Sequence, residues 1–168
     1  FTCAAMAAIL SACGGGGGSP GETNEHYSIT LRAEKSQLPI NIAGVQPGIG
    51  AYRPYTTTLY VDARKGNLPI PGGEDIFGCN VSGGLDSGAL YYLDGKAEHE
   101  TEVDDGNGGK IKVPNAYRSI TLGSNSGGNS FHFHAGDQAG TARITCSVQD
   151  PLDNRQKAAS VEITVGGA

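Results

Sequence analysis

Four cysteines, four histidines and a run of carboxylates carry whatever chemistry this 168-residue chain can do. His132 and His134 stand two apart, which puts both side chains on one face of a strand, as a pair of zinc ligands requires. No third ligand lies near them in sequence. They therefore read as exposed histidines on the outer face of a strand whose Phe131 and Phe133 point inward. Glu98, His99, Glu100, Glu102, Asp104 and Asp105 form a carboxylate-rich stretch ending in Gly106-Asn107-Gly108. Hard cations take several such oxygens on a turning backbone, but the alternating Asp-x-Asp-x-Asp-Gly order is missing, so the stretch reads as a solvated acidic loop. Gly106 to Lys110 lacks the Gly-Lys-Ser/Thr ending of a phosphate loop. Ser87 and Ser126 have glycine neighbours but no Gly-x-Ser-x-Gly frame. No catalytic group, metal site or cofactor is expected, and the chain reads as a non-enzyme.

The cysteines divide by position. Residues 1–12 carry no charge and are almost entirely apolar or small, too short to span a bilayer but of a length to be the core of a signal peptide. The stretch Leu10-Ser11-Ala12-Cys13 resembles the lipobox of bacterial lipoproteins. That resemblance implies a chain beginning inside a signal peptide, diacylglycerol on the Cys13 thiol, and cleavage just before Cys13. Gly14 to Gly18 and Ser19-Pro20-Gly21 follow, a composition suited to a flexible tether. Gly rather than Asp after Cys13 resembles lipoproteins sorted to the outer membrane. Cys3 then belongs to the removed signal. Cys79 and Cys146 remain, both on inward faces of strands expected to be neighbours. A disulfide between them is the expectation in an oxidising envelope, and two buried free thiols acting as small apolar residues are the alternative.

The elements that must hold these residues are strands. Glycine reaches 27 residues, there is no Trp, and charged residues make up only 17% of the chain, which with its Thr, Val and Ile favours strands and turns. A net charge of −5 with scattered Lys and Arg excludes a nucleic-acid surface. Ile29, Leu31 and Ala33 alternate with polar residues. Leu38, Ile40 and Ile42 resume after a break placed at Pro39, as in a first strand that changes partners there. Leu59, Val61 and Ala63 share one face; so do Phe77, Cys79 and Val81; so do Ala142, Ile144, Cys146 and Val148. Val161, Ile163 and Val165 close the pattern, and 94–115 reads as a polar surface excursion with at most one hairpin. Seven or eight short strands with frequent turns and no amphipathic helix predict an all-β sandwich with Greek-key connections.

Residues Thr57 to Ala63, the turn Gly66-Asn67-Leu68-Pro69-Ile70-Pro71-Gly72, Ala139-Gly140-Thr141-Ala142-Arg143-Ile144-Thr145 and the final strand 159–165 resemble bacterial Ig-like domains of the invasin and intimin type. The resemblance implies an immunoglobulin-like sandwich over 26–166, after a partial signal (1–12) and a lipidated tether (13–25). It also implies a structural, stalk or adhesion module whose partners are the membrane, through Cys13, and a protein or glycan. A carbohydrate- or polymer-binding lipoprotein with a Tyr platform is the alternative, as is an accessory subunit of an envelope complex. Aromatic residues clustered on one exposed sheet face would favour the glycan reading.

Overall fold

The computed structural model describes residues 25–48 and 53–166. The signal, Cys3, Cys13 and the glycine tether lie outside the described residues. Strand dominates what is described, with two single 3-10 turns at Leu85–Ser87 and Ala97–His99 and no α-helix among the described residues. The alternation of 27–33 makes β1 (Tyr27–Ala33), whose Ile29, Leu31 and Ala33 turn toward the core. The chain then changes sheets, and β2 (Gln37–Leu38) pairs in parallel with the last strand. The break falls at 34–36 rather than at Pro39. The Glu34 and Lys35 N–H groups are there held by Thr58 C=O and the Thr57 hydroxyl. Ile42, expected to continue the inward face, is 80% exposed.

Then come β3 (Thr56–Lys65), the short β4 (Leu68–Pro69), β5 (Gly73–Ser82) and β6 (Gly88–Tyr91). The acidic excursion folds into one hairpin, β7 (Glu100–Asp104) with β8 (Lys110–Pro114), which forms its own two-stranded sheet. The chain closes with β9 (Ser119–Ser124), β10 (Gly128–Ala135), β11 (Gly140–Asp150) and β12 (Arg155–Val165).

These strands build two facing sheets. One has the order β1-β3-β10-β6, with β4 attached to β3; the other runs β2-β12-β11-β5-β9. The links β3 to β5, β5 to β6, β9 to β10 and β10 to β11 all cross between sheets, the Greek-key habit of an immunoglobulin-like sandwich. Phe77, Phe131, Phe133, Leu59, Leu90, Ile144 and Ile163 are fully enclosed between the layers. Burial of such side chains stabilises by about 1.5–3 kcal/mol each.

Cys79 and Cys146 stand directly opposite each other on β5 and β11 and are joined by a disulfide, with Cα atoms 4.1 Å apart. In antibody domains the bridge spans the two sheets and packs on a Trp. Here it joins neighbours within one sheet, and the chain has no Trp.

Candidate functional site

His132 and His134 do not face solvent as expected. They are 8% and 6% exposed. Their strand, β10, lies between β3 and β6; one face meets the core, and on the other the loop after β2 covers His134 through Asn41 and Val45. His134 Nδ1 accepts the Thr56 hydroxyl at 2.7 Å, and its Nε2 lies 2.6 Å from Val45 C=O. A neutral ring with its proton on Nε2 satisfies both. Burial pushes the His134 imidazole below its ordinary value, and Arg53 adds to this against the Val45 bond. His132 Nδ1 meets the Thr58 hydroxyl at 3.2 Å, and burial lowers its pKa too, against the pull of Glu34. Both rings are buried in the sandwich and hydrogen-bonded to its hydroxyl and carbonyl groups.

The acidic stretch is likewise occupied with its own backbone. Asp105 accepts the N–H groups of Asn107 (2.7 Å) and Gly109 (3.0 Å), closing the β7–β8 turn, and Asp104 pairs with Lys110 at 2.9 Å. His99 reaches Glu98 with its Nε2 at 3.5 Å but turns mainly out of the run. Its Nδ1 meets the Asp94 carboxylate at 2.9 Å, and its ring stacks on Tyr92 with centroids 3.7 Å apart. Burial raises Asp94, but the His99 and Lys96 N–H bonds outweigh it and hold the carboxyl below the usual range.

Beside that stack lies a cleft of about 630 Å³, walled by β5, β9, β10 and the β6–β7 link. Adjacent residues Glu74 and Asp75 both line it. A regular strand would send them to opposite faces. A register shift between Gly73 and Phe77, with Asp75 at φ 55°, turns both the same way. A Cβ at Gly123 would lie 2.6 Å from Gly73 C=O, so the bulge needs glycine there to pack. Lys96, Thr121 and Ser130 complete a mixed donor and acceptor lining. Sequence reading missed this cleft; the signal available was Gly72-Gly73 ahead of two acidic residues, a bulge motif in an otherwise alternating strand.

A third cluster sits where the domain begins. Asp150, at the end of β11, is fully enclosed. Its Oδ2 accepts Tyr27 N–H at 3.1 Å and lies 3.0 Å from His26 Nδ1. Its Oδ1 accepts Leu152 N–H at 2.9 Å. Burial pushes the carboxyl up, yet the bonds from Leu152, His26, Tyr27 and Lys157 prevail and hold it at about 2. His26, Asp150 and Asp153 offer ligand atoms within 4.8 Å of one another, a spacing a metal could use. Lys157 Nζ already stands among them, 2.9 Å from Asp153 and 3.4 Å from Asp150. The ammonium supplies the positive charge, so the cluster is a lock between the start of β1 and the β11–β12 turn.

The two ends of the described domain are far apart. Tyr27 is tied to Asp150, where β11 turns into β12. Val165 pairs with Gly140 at the other end of the same ladder, and Gly166 N–H bonds Leu38 C=O there. Eleven residues of β12 separate these poles by about 34 Å.

No protein-family model and no curated protein matches the chain. Among solved structures, it is similar to a conjugative transposon lipoprotein from Bacteroides eggerthii (15% identity, 82% of this chain and 95% of that one, TM-score 0.35). It is also similar to the cohesin module of a Clostridium perfringens family 33 glycoside hydrolase (9% identity, 84% and 98%, TM-score 0.35). A third is a structure of the AAF fimbriae of enteroaggregative Escherichia coli, described as concerning fibronectin binding and biofilm formation (13% identity, 83% and 98%, TM-score 0.31). At these scores the functional reading rests on the residues of this chain alone.

Proposed function

We propose that this chain is a non-enzymatic module of the bacterial cell envelope, held at the outer membrane by lipid on Cys13, whose Ig-like domain serves as a stalk or adhesion segment. The observation that carries the reading is polar: the domain starts at one end of the sandwich and finishes at the other, about 34 Å away. A domain so threaded adds its length to whatever it separates. The buried Cys79–Cys146 bridge suits an oxidising compartment outside the cytosol. The described histidines are all engaged by hydroxyl, carbonyl or carboxylate partners, which supports a structural over a catalytic use.

The test is distance and attachment on cells. An epitope after residue 166 should sit further from the membrane with the domain present than with 26–166 replaced by a short flexible linker, and Cys13→Ser should release the protein from the membrane fraction. Equal epitope distances would reject the stalk role, and unchanged attachment would reject the lipid anchor.

The cleft favours one second reading, a saccharide-binding face. Its carboxylates Glu74 and Asp75, with Lys96 and the hydroxyls of Thr121 and Ser130, suit a hydroxyl-rich, non-anionic ligand. Titration of the isotope-labelled chain with neutral and amine-bearing oligosaccharides should move the amide signals of 74–75 and 121–130. Asp75→Asn should abolish those shifts. Absence of any shift at millimolar sugar rejects the reading.

A further inference from the structure

We infer that this domain is a force-bearing link with a covalent stop, able to lengthen by only about half of its chain when pulled by its ends. The inference rests on the stalk reading for its biological setting, but its mechanics follow from topology alone.

Tension between the poles acts along the strands. β1 and β2 run from the first pole toward the second, and β12 runs the same way, paired in parallel with β2. Pulling Tyr27 one way and Gly166 the other slides β2 against β12, β1 against β3, and β12 against β11. Ladder bonds run across the strands, perpendicular in the antiparallel sets and slanted in the parallel one, so each set is loaded together in shear instead of being opened bond by bond. The sets are unequal. The β2–β12 contact spans only Thr164↔Gln37 and Val165↔Leu38, whereas β1–β3 spans seven residue pairs and β11–β12 eleven. The parallel contact is the smallest of the three, and β12 can slide past β2 only if its longer ladder with β11 shears too. The lock of Asp150 with His26, Tyr27 N–H and Lys157 ties β1 to the β11–β12 turn at the opposite pole, so rupture there must break it as well.

Once the terminal strands part, the load runs along the backbone to Cys79, through the disulfide, and out from Cys146. The chain between them, a sequence separation of 67, is bypassed. It contains all of β6 to β10, including the acidic hairpin and most of the cleft. With about 3.5 Å per extended residue, the bridged domain gains about 22 nm on unfolding and an unbridged one about 45 nm. The bridge is enclosed in the core, with Cys79 1% and Cys146 0% exposed, so the stop is shielded from thiols until the domain opens.

Single-molecule force spectroscopy on the full chain, held at its two ends, tests this. The native protein should give unfolding increments near 22 nm, and Cys79→Ala/Cys146→Ala increments near 45 nm. If that variant does not fold, the native protein pulled in dithiothreitol answers the same question. A dithiothreitol thiolate attacks one bridge sulfur, forms a mixed disulfide and releases the other as a thiolate, so a second step of about 23 nm should follow the first. That step should be missing without the reductant, and missing before the first rupture. Native increments near 45 nm, or no second step under reductant, would overturn the inference. Increments as stated alongside unchanged epitope distances on cells would leave the mechanics standing and remove the stalk.

Discussion

Replacing both bridge residues, Cys79→Ala/Cys146→Ala, isolates what the disulfide contributes, because the two residues oppose each other in a ladder that stays pinned without them. The β5–β11 register runs from Arg143↔Ser82 to Val148↔Phe77, so neighbouring pairs on both sides hold the alignment. The bridge closes a loop across a separation of 67 residues. In the chain-entropy treatment a loop of that size removes enough freedom from the unfolded chain to stabilise the fold by about 4 kcal/mol. A domain of this size has about 5–15 kcal/mol in total, so the variant should still fold but lose a large share of its margin. Its Tm should fall by about 10–25 °C. Urea titration followed by circular dichroism should show a lower midpoint with a steeper slope, since the unbridged chain exposes more surface on unfolding. A loss below about 1 kcal/mol with an unchanged slope would refute the reasoning, as would native protein titrating with two free thiols at Cys79 and Cys146 in denaturant.

The buried histidines make stability fall with acid: with folded-state pKa values lowered, the unfolded chain takes up protons first, so their contribution is intact above about pH 6.5 and is lost as pH falls toward the folded values. Thermal melts from pH 7.5 to 5 should show this slope, and His134→Gln should flatten it. Asp150 acts lower: its carboxyl sits at about 2 against an ordinary 3.8, so its contribution is present above about pH 4 and lost as pH drops to 2. Asp150→Asn should lower Tm at pH 7, and its gap from the native protein should close near pH 2; a gap constant across that range would refute the assignment. Gly88→Ala would place a Cβ 2.4 Å from Phe133 Cζ and 2.5 Å from His134 C=O, and should destabilise by about 1–3 kcal/mol in denaturant melts. Because Lys157 stands where a metal would bind near His26, EDTA and added calcium or zinc should leave Tm unchanged; a shift of many degrees would mean the cluster or the hairpin holds an ion.

The sandwich was legible because its long strands bury one face each. Where the period-2 pattern met that condition, in 57–63, 77–81 and 142–148, the inward sets Leu59/Val61/Ala63, Phe77/Cys79/Val81 and Ala142/Ile144/Cys146/Val148 are all buried. The same rule misplaced His132 and His134, because alternation reports only that two faces differ, not that the second one is wet. A loop 90 residues away in sequence roofs that face, and nothing local announces it. Strand order was hidden for a similar reason. β6 precedes β9 in the chain yet joins the β3–β10 sheet while β9 pairs with β5, a choice made by crossing links rather than by residue pattern. The cleft escaped because its walls come from four separate elements and its acidic pair is aimed by one left-handed residue, Asp75.

The placement of the tyrosines bears on the choice between the proposed stalk and a sugar platform. A platform for sugars needs ring faces in water, and Tyr92 lends one face to His99 while Tyr117 stands edge-on to both rings. The Tyr92 hydroxyl donates to Thr121 C=O and accepts Thr121 N–H, each at 3.1 Å, closing that stretch of the outer edge of β9. The Tyr117 backbone exchanges two bonds with Leu90 and closes β6, the end strand of the other sheet. Tyr60 lies under the Arg32 guanidinium at 4.1 Å. Sheet edges left open invite pairing with neighbouring copies, and these aromatic residues block two of them. A module displayed densely on a surface and pulled along its strands has most need of such closure, since every stretched copy would otherwise offer its edges to the next. Tyr92→Phe keeps the ring stack but frees both Thr121 groups. It should therefore promote concentration-dependent association in sedimentation while leaving the monomer fold intact; a variant that stays monomeric at high concentration would show that the hydroxyl protects nothing.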